Sequence, residues 1–109
     1  MSILLPDAPL PPGEEPACRL QLDLPAELRV AGDAHPCRVT SLSASGVEMV
    51  LSNGPAPSAA PHAVIHIPAL GLYRARRAWS DGARAAYLFE LTEFSRRALD
   101  ALIRDRFPT

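Results

Sequence analysis

The stretch whose reading decides the fold is residues 38–49, RVTSLSASGVEM. Cys37 and Val39 open a period-two pattern, which meets serines at 41, 43 and 45 and a glycine at 46. It then resumes at Val47, Met49 and Leu51. Successive side chains of a strand point to opposite faces, so alternation on both sides of a small, hydroxyl-rich break predicts a β-hairpin. Serine hydroxyls close local backbone bonds in turns, and glycine enters left-handed backbone without steric cost. By itself, then, SLSASG predicts a turn that uses its serines locally and places Gly46 in the left-handed region. The same small residues also suit one wall of a binding site.

The pattern extends in both directions. In RLQLDLPAELRVAG, Leu20, Leu22, Leu24, Ala26, Leu28 and Val30 alternate with Arg19, Gln21, Asp23, Pro25, Glu27 and Arg29, a half-buried strand. Pro25 inside it predicts an edge or a bulge, since proline cannot donate to a ladder. AGDAHP reads as the turn into the next strand, and SNGPAPSAAP as a loop. HAVIHIPAL is a short strand stopped by Pro68. GLYRARRAW places Tyr73, Ala75 and Trp79 on one face, with Arg77 out of phase unless it turns inward or sits at a bulge. SDG predicts a tight hairpin turn, and ARAAYLFEL returns with Tyr87 and Phe89 together. After Thr92, a plausible N-cap, the period becomes 3.6, with Phe94, Ala98, Leu99, Leu102 and Ile103 lining one side of a helix over 92–106. Five or six strands at hairpin spacing, closed by a helix, predict a mainly β fold: a small antiparallel barrel.

At 109 residues with a formal charge of −1, the chain is long enough for one core and carries no global field to attract nucleic acid or anionic lipid. Residues 1–18 hold five of the 12 prolines and no basic residue, the composition of a flexible arm. All 11 cations are arginine, each a planar fork suited to carboxylate or phosphate. Cys18 and Cys37 are too few for a disulfide framework and read as reduced thiols. Without a signal-like start or a membrane-length apolar run, the expectation is a cytoplasmic protein that inserts in no membrane.

Catalysis is not expected. The serines have no nearby His–Asp pattern, no Gly-rich phosphate loop opens a helix, and the carboxylates are scattered. His62 and His66 are four apart on a strand pattern, roughly 13 Å, too far for one metal ion.

An arginine before LxLDLPAELRV, then xVTSLSASGVEM, then a hairpin and a closing amphipathic helix: over residues 15–107 this resembles a PilZ domain. The resemblance implies a six-stranded antiparallel β-barrel with a C-terminal helix over residues 19–107. It also implies a role in cyclic di-GMP signalling, in which an RxxxR motif before the first strand and a [D/N]xSxxG motif on the second bind the dinucleotide. The second motif falls on Ser41–Gly46: Ser43 and Gly46 agree, and Ser41 replaces Asp or Asn. The first falls on Glu15–Arg19: Arg19 agrees, and Glu15 stands where the other arginine belongs. Ala86 also stands where a glycine often precedes the end of the last strand.

The candidate dinucleotide-binding residues are therefore Arg19, Ser41, Ser43 and Gly46. A pair of arginine forks can clamp phosphate oxygens and stack on purines. Loss of one such contact costs about 1.5–3 kcal/mol, and an added carboxylate repels the phosphate. A micromolar site would weaken to roughly 0.1–1 mM. The expected function is a non-enzymatic signalling adaptor that needs no cofactor and acts on a protein partner, with nucleotide binding weak or lost. The alternative is a cyclic di-GMP receptor using Arg19, Ser43 and Gly46.

Overall fold

The computed structural model describes residues 20–57 and 61–107. The predicted arm, Cys18, Glu15 and Arg19 lie outside the described residues. The leucine alternation from Leu20 becomes β1 (Leu20–Val30), followed by β2 (Asp33–Ser43), β3 (Gly46–Leu51), β4 (His62–Ile67), β5 (Gly71–Asp81) and β6 (Arg84–Phe89). All pairings are antiparallel, in the order β1-β2-β3-β6-β5-β4, and β4 pairs with β1 to close the barrel. Helix α1 (Glu93–Arg106) follows.

Closure explains the tolerance of Pro25. It faces Arg38 on β2, whereas β4 pairs only with Glu27, Leu28 and Arg29, so Pro25 has no ladder partner on that side. A register shift between Gln21 and Leu24 adds the bulge its neighbourhood predicted.

Among the strands and turns, three sequence expectations change. The first turn is shorter than AGDAHP: Asp33, Ala34, His35 and Pro36 already belong to β2, and Ala31 and Gly32 alone make the connection. Both have positive φ, 52° and 87°, as a type I′ hairpin requires. The SDG turn likewise moves, with Asp81 paired to Arg84 and the reversal made by Gly82 and Ala83. The third change is in β5. Arg77 faces Tyr87 and Trp79 faces Ala86, so Ala78 is an extra residue in the ladder. That bulge keeps Arg77 inward and turns Trp79 to the outer wall, away from Tyr73 and Ala75. Arg77 donates from its backbone to Pro61 O (2.7 Å) and from its guanidinium to Pro57 O (3.4 Å), tying both sides of the loop after β3 to β5.

The interior is filled by Leu28, Val39, Leu42, Met49, Ile65, Ile67 and Tyr87, all essentially inaccessible to solvent. Ala75 and Ala85 supply small positions among them. Helix α1 adds Leu99 and Ile103 to this core. Thr92 is its N-cap, its hydroxyl accepting from Ser95 N at 3.1 Å. The buried face differs from the predicted one: Phe94 is 83% exposed and Ala98 is exposed, while Leu99 and Ile103 are buried. The two sets lie on opposite sides of one apolar stripe, and the core selects the side carrying the two large aliphatic residues a turn apart.

Cys37 is a buried free thiol. Burial, with the Glu27 carboxylate as a lesser cause, pushes its pKa up to about 11. An unfolded thiol titrates near ~8.5. Between those values the folded chain holds a proton the unfolded chain has lost. Stability is thus intact below about pH 8.5 and falls as pH rises toward the folded value, by up to ~1.4 kcal/mol per unit. Denaturant melts at pH 8 and pH 10.5 should show this fall, and Cys37→Ala should reduce it. An unchanged slope in that variant would place the thiol in solvent.

Candidate functional site

The serine turn is where the sequence places it, between β2 and β3, with Ser43 paired to Gly46. The ladders show which way its residues face. Leu20, Leu42, Val47 and Tyr87 stand opposite one another in turn across β1, β2, β3 and β6 and point into the core. Their neighbours in sequence therefore form outer rows. One runs Gln21, Ser41, Glu48, Ala86, Trp79; the next runs Ser43, Gly46, Leu88, Arg76, His62. Ser41, Ser43 and Gly46 thus share the outer wall and form one patch. Arg19, the fourth candidate, lies outside the described residues; Leu20, the first described, pairs with Leu42 next to Ser43.

The patch is oriented outward but scarcely open. Ser41 is 3% and Ser43 5% exposed. Ser43 Oγ accepts from Ser45 N at 3.2 Å, the local turn bond expected of a serine at this position. Ser45 O in turn accepts from Phe89 N at 2.9 Å and fastens the turn to the end of β6.

Gly46 is needed for a different reason from the one the sequence suggested. It is absent from the residues with positive φ, so the left-handed expectation is overturned. A Cβ at Gly46 would instead fall 2.2 Å from Tyr87 O and 3.1 Å from Leu88 Cα. The glycine is there because β3 runs hard against β6.

Ser41 faces an acidic residue across the ladder. Glu48 is its partner across β2–β3 and shares its row. Where a carboxylate or amide would recognise a guanine edge, the wall thus offers a short hydroxyl beside a carboxylate from another strand.

No other arginine in the described barrel restores the clamp. Arg38 is bound to Asp23 through Nε and Oδ1, and the pair holds the Asp23 carboxyl below its usual range. Arg77 is turned inward opposite Tyr87. Arg84 faces Val50 on β3 and Asp81 on β5. Arg76 shares the Ser43 row but stands three strands away, roughly 14 Å along the sheet. Trp79 is the residue that sequence reasoning missed: the Ala78 bulge places its indole in the Ser41 row, also three strands away. A period break at Arg77 was the only sign of this, and it did not specify which residue was extra.

Comparison with known proteins agrees with the architecture. The fold is similar to the crystal structure of the PilZ domain of CeSA from a cellulose-synthesizing bacterium, with a TM-score of 0.62 and 20% sequence identity, covering 82% of this chain and 94% of that one. No protein-family model matches the sequence. No curated protein matches it either. The chain therefore has the PilZ fold, six antiparallel strands closed into a barrel with one C-terminal helix, as its sequence led us to expect. Among the described residues no helix is long and apolar enough to cross a membrane.

Proposed function

We propose that the protein is a non-enzymatic PilZ-type adaptor in a cyclic di-GMP network, acting through contacts with a protein partner, with dinucleotide binding weak or lost. One observation carries this reading: both residues that keep the second motif are accounted for by the fold. Ser43 caps its own turn through Ser45 N, and Gly46 is required by the Tyr87 carbonyl. Neither needs a ligand to explain it. Glu15, in the sequence where the motif has an arginine, opposes a phosphate.

A second reading, a dinucleotide receptor using Arg19, Ser43 and Gly46, draws support from Trp79. Its indole lies in the Ser41 row, and an aromatic face on the outer wall is a stacking surface for a purine. Arginine–phosphate contacts would have to supply the remaining affinity, and the described barrel supplies none near the turn.

Isothermal titration with cyclic di-GMP separates the two. The adaptor reading expects no saturable heat below about 0.1 mM. Binding tighter than about 10 μM that disappears in Arg19→Ala would establish the receptor instead.

A further inference from the structure

On the side of the barrel formed by β1, β4 and β5, the outer wall mixes arginines and histidines with apolar side chains. Along β5 the outward residues are Leu72, Arg74 and Arg76; along β4 they are His62, Val64 and His66. Arg29 of β1 pairs with Val64, and Val64 with Arg74, so the two arginines flank one valine across three strands. A cleft of about 390 Å³ opens here, lined by Arg29, His62, Val64, Arg74 and Glu90.

The acids nearby are largely occupied. Glu27 accepts from Arg29 Nε at 2.7 Å, and Glu90 Oε2 lies 3.4 Å from His62 Nδ1. Arg74 and Arg76 make no ion pair among the described residues. Leu72 is 57% and Leu88 45% exposed beside them.

We infer that this wall is a docking surface for an acidic segment of a partner protein, one that sets carboxylates against Arg74 and Arg76 and apolar side chains against Val64 and Leu72. The inference rests on the adaptor reading. Three physical points select this occupant. On this wall β4 is paired on both sides, with residues 27–29 of β1 and residues 71–76 of β5, so a partner here binds through side chains and not by strand addition. A small free anion gains little from solvated arginines, since an exposed ion pair contributes only ~0–1 kcal/mol, so useful affinity needs several contacts on one chain. Val64, Leu72 and Leu88 border Arg74 and Arg76, and Glu27 and Glu90 interrupt the wall, whereas a phosphate backbone calls for a continuous basic track.

The test uses the full-length chain and a fluorescent peptide of about eight residues alternating Glu with Leu, beside the same peptide with Gln for Glu and a single-stranded oligonucleotide of similar length. Saturable binding of the Glu peptide is expected, weakened about tenfold by Arg74→Glu with Arg76→Glu and unchanged by Arg84→Glu. Circular dichroism checks that each variant is folded. Absence of binding, equal binding of the Gln peptide, or an equal loss in Arg84→Glu would overturn the proposal. Tighter binding of the oligonucleotide would replace it with a nucleic-acid surface. A cyclic di-GMP titration on the same samples keeps the two readings apart: tight nucleotide binding with the peptide effect intact would remove the adaptor reading and leave the docking wall standing.

Discussion

Gly46→Ala should destabilise the protein by about 3 kcal/mol, lowering the melting temperature by of the order of 15 °C. The added methyl carbon would stand 2.2 Å from Tyr87 O, well inside van der Waals contact. The atom it meets is backbone, near the end of the β3–β6 ladder beside the serine turn, and cannot swing aside as a side chain could. Strands β3 and β6 must separate at the Gly46–Leu88 pair, and the bond from Phe89 N to Ser45 O is strained with them. Against a typical total stability of ~5–15 kcal/mol this is a large fraction. Thermal or urea denaturation of the ligand-free protein measures it. A loss below about 1 kcal/mol would mean that the strands are further apart than described, and Gly46 would again need a ligand to explain it.

Ile103→Ala should cost about 3–4 kcal/mol, while Phe94→Ala should cost less than ~0.5 kcal/mol. Ile103 is wholly buried among the barrel residues; Phe94 is 83% exposed at the start of the same helix. Truncating Ile103 removes transfer free energy and leaves a void that close-packed neighbours fill only in part. Because α1 reaches the core chiefly through Leu99 and Ile103, this loss also loosens the helix from the barrel. Urea denaturation of the two variants side by side reads the difference. Equal losses would place the helix on the face first suggested by its sequence.

The contrast between these two residues shows what a sequence of this kind discloses. The strands were legible because each carries its own alternation: Leu20 to Val30 in β1, and Val47, Met49 and Leu51 in β3. Thr92 announced the helix start by its chemistry. The helix face was not legible, because Phe94, Ala98, Leu99, Leu102 and Ile103 make a stripe wider than the core can bury, and only packing selects a side. The Ala78 bulge was half visible, since alanine fits either face and leaves no mark except the phase of its neighbours. Ala31 and Gly32 were hidden as a type I′ turn because alanine rarely enters left-handed backbone.

The candidate site divides in the same way. Ser43 and Gly46 were found by motif, and Ser43's local bond followed from turn chemistry. The reason for Gly46 could not be read, because its partner, Tyr87 O, is about forty residues away and is brought near only by the ladder. Glu48 as Ser41's outward neighbour depends on the register shift between Val39 and Ser41, which no local pattern announces.

The central claim is that the serine–glycine turn is kept by the barrel and not by a dinucleotide. Thermal denaturation in the presence of about 100 μM cyclic di-GMP tests it most directly, because a ligand at a hundred times its Kd stabilises the folded state by ~2.7 kcal/mol. The adaptor account, with a Kd no tighter than about 0.1 mM, predicts a melting temperature within about 3 °C of the ligand-free protein. A rise of roughly 10 °C or more, abolished by Arg19→Ala, would contradict it.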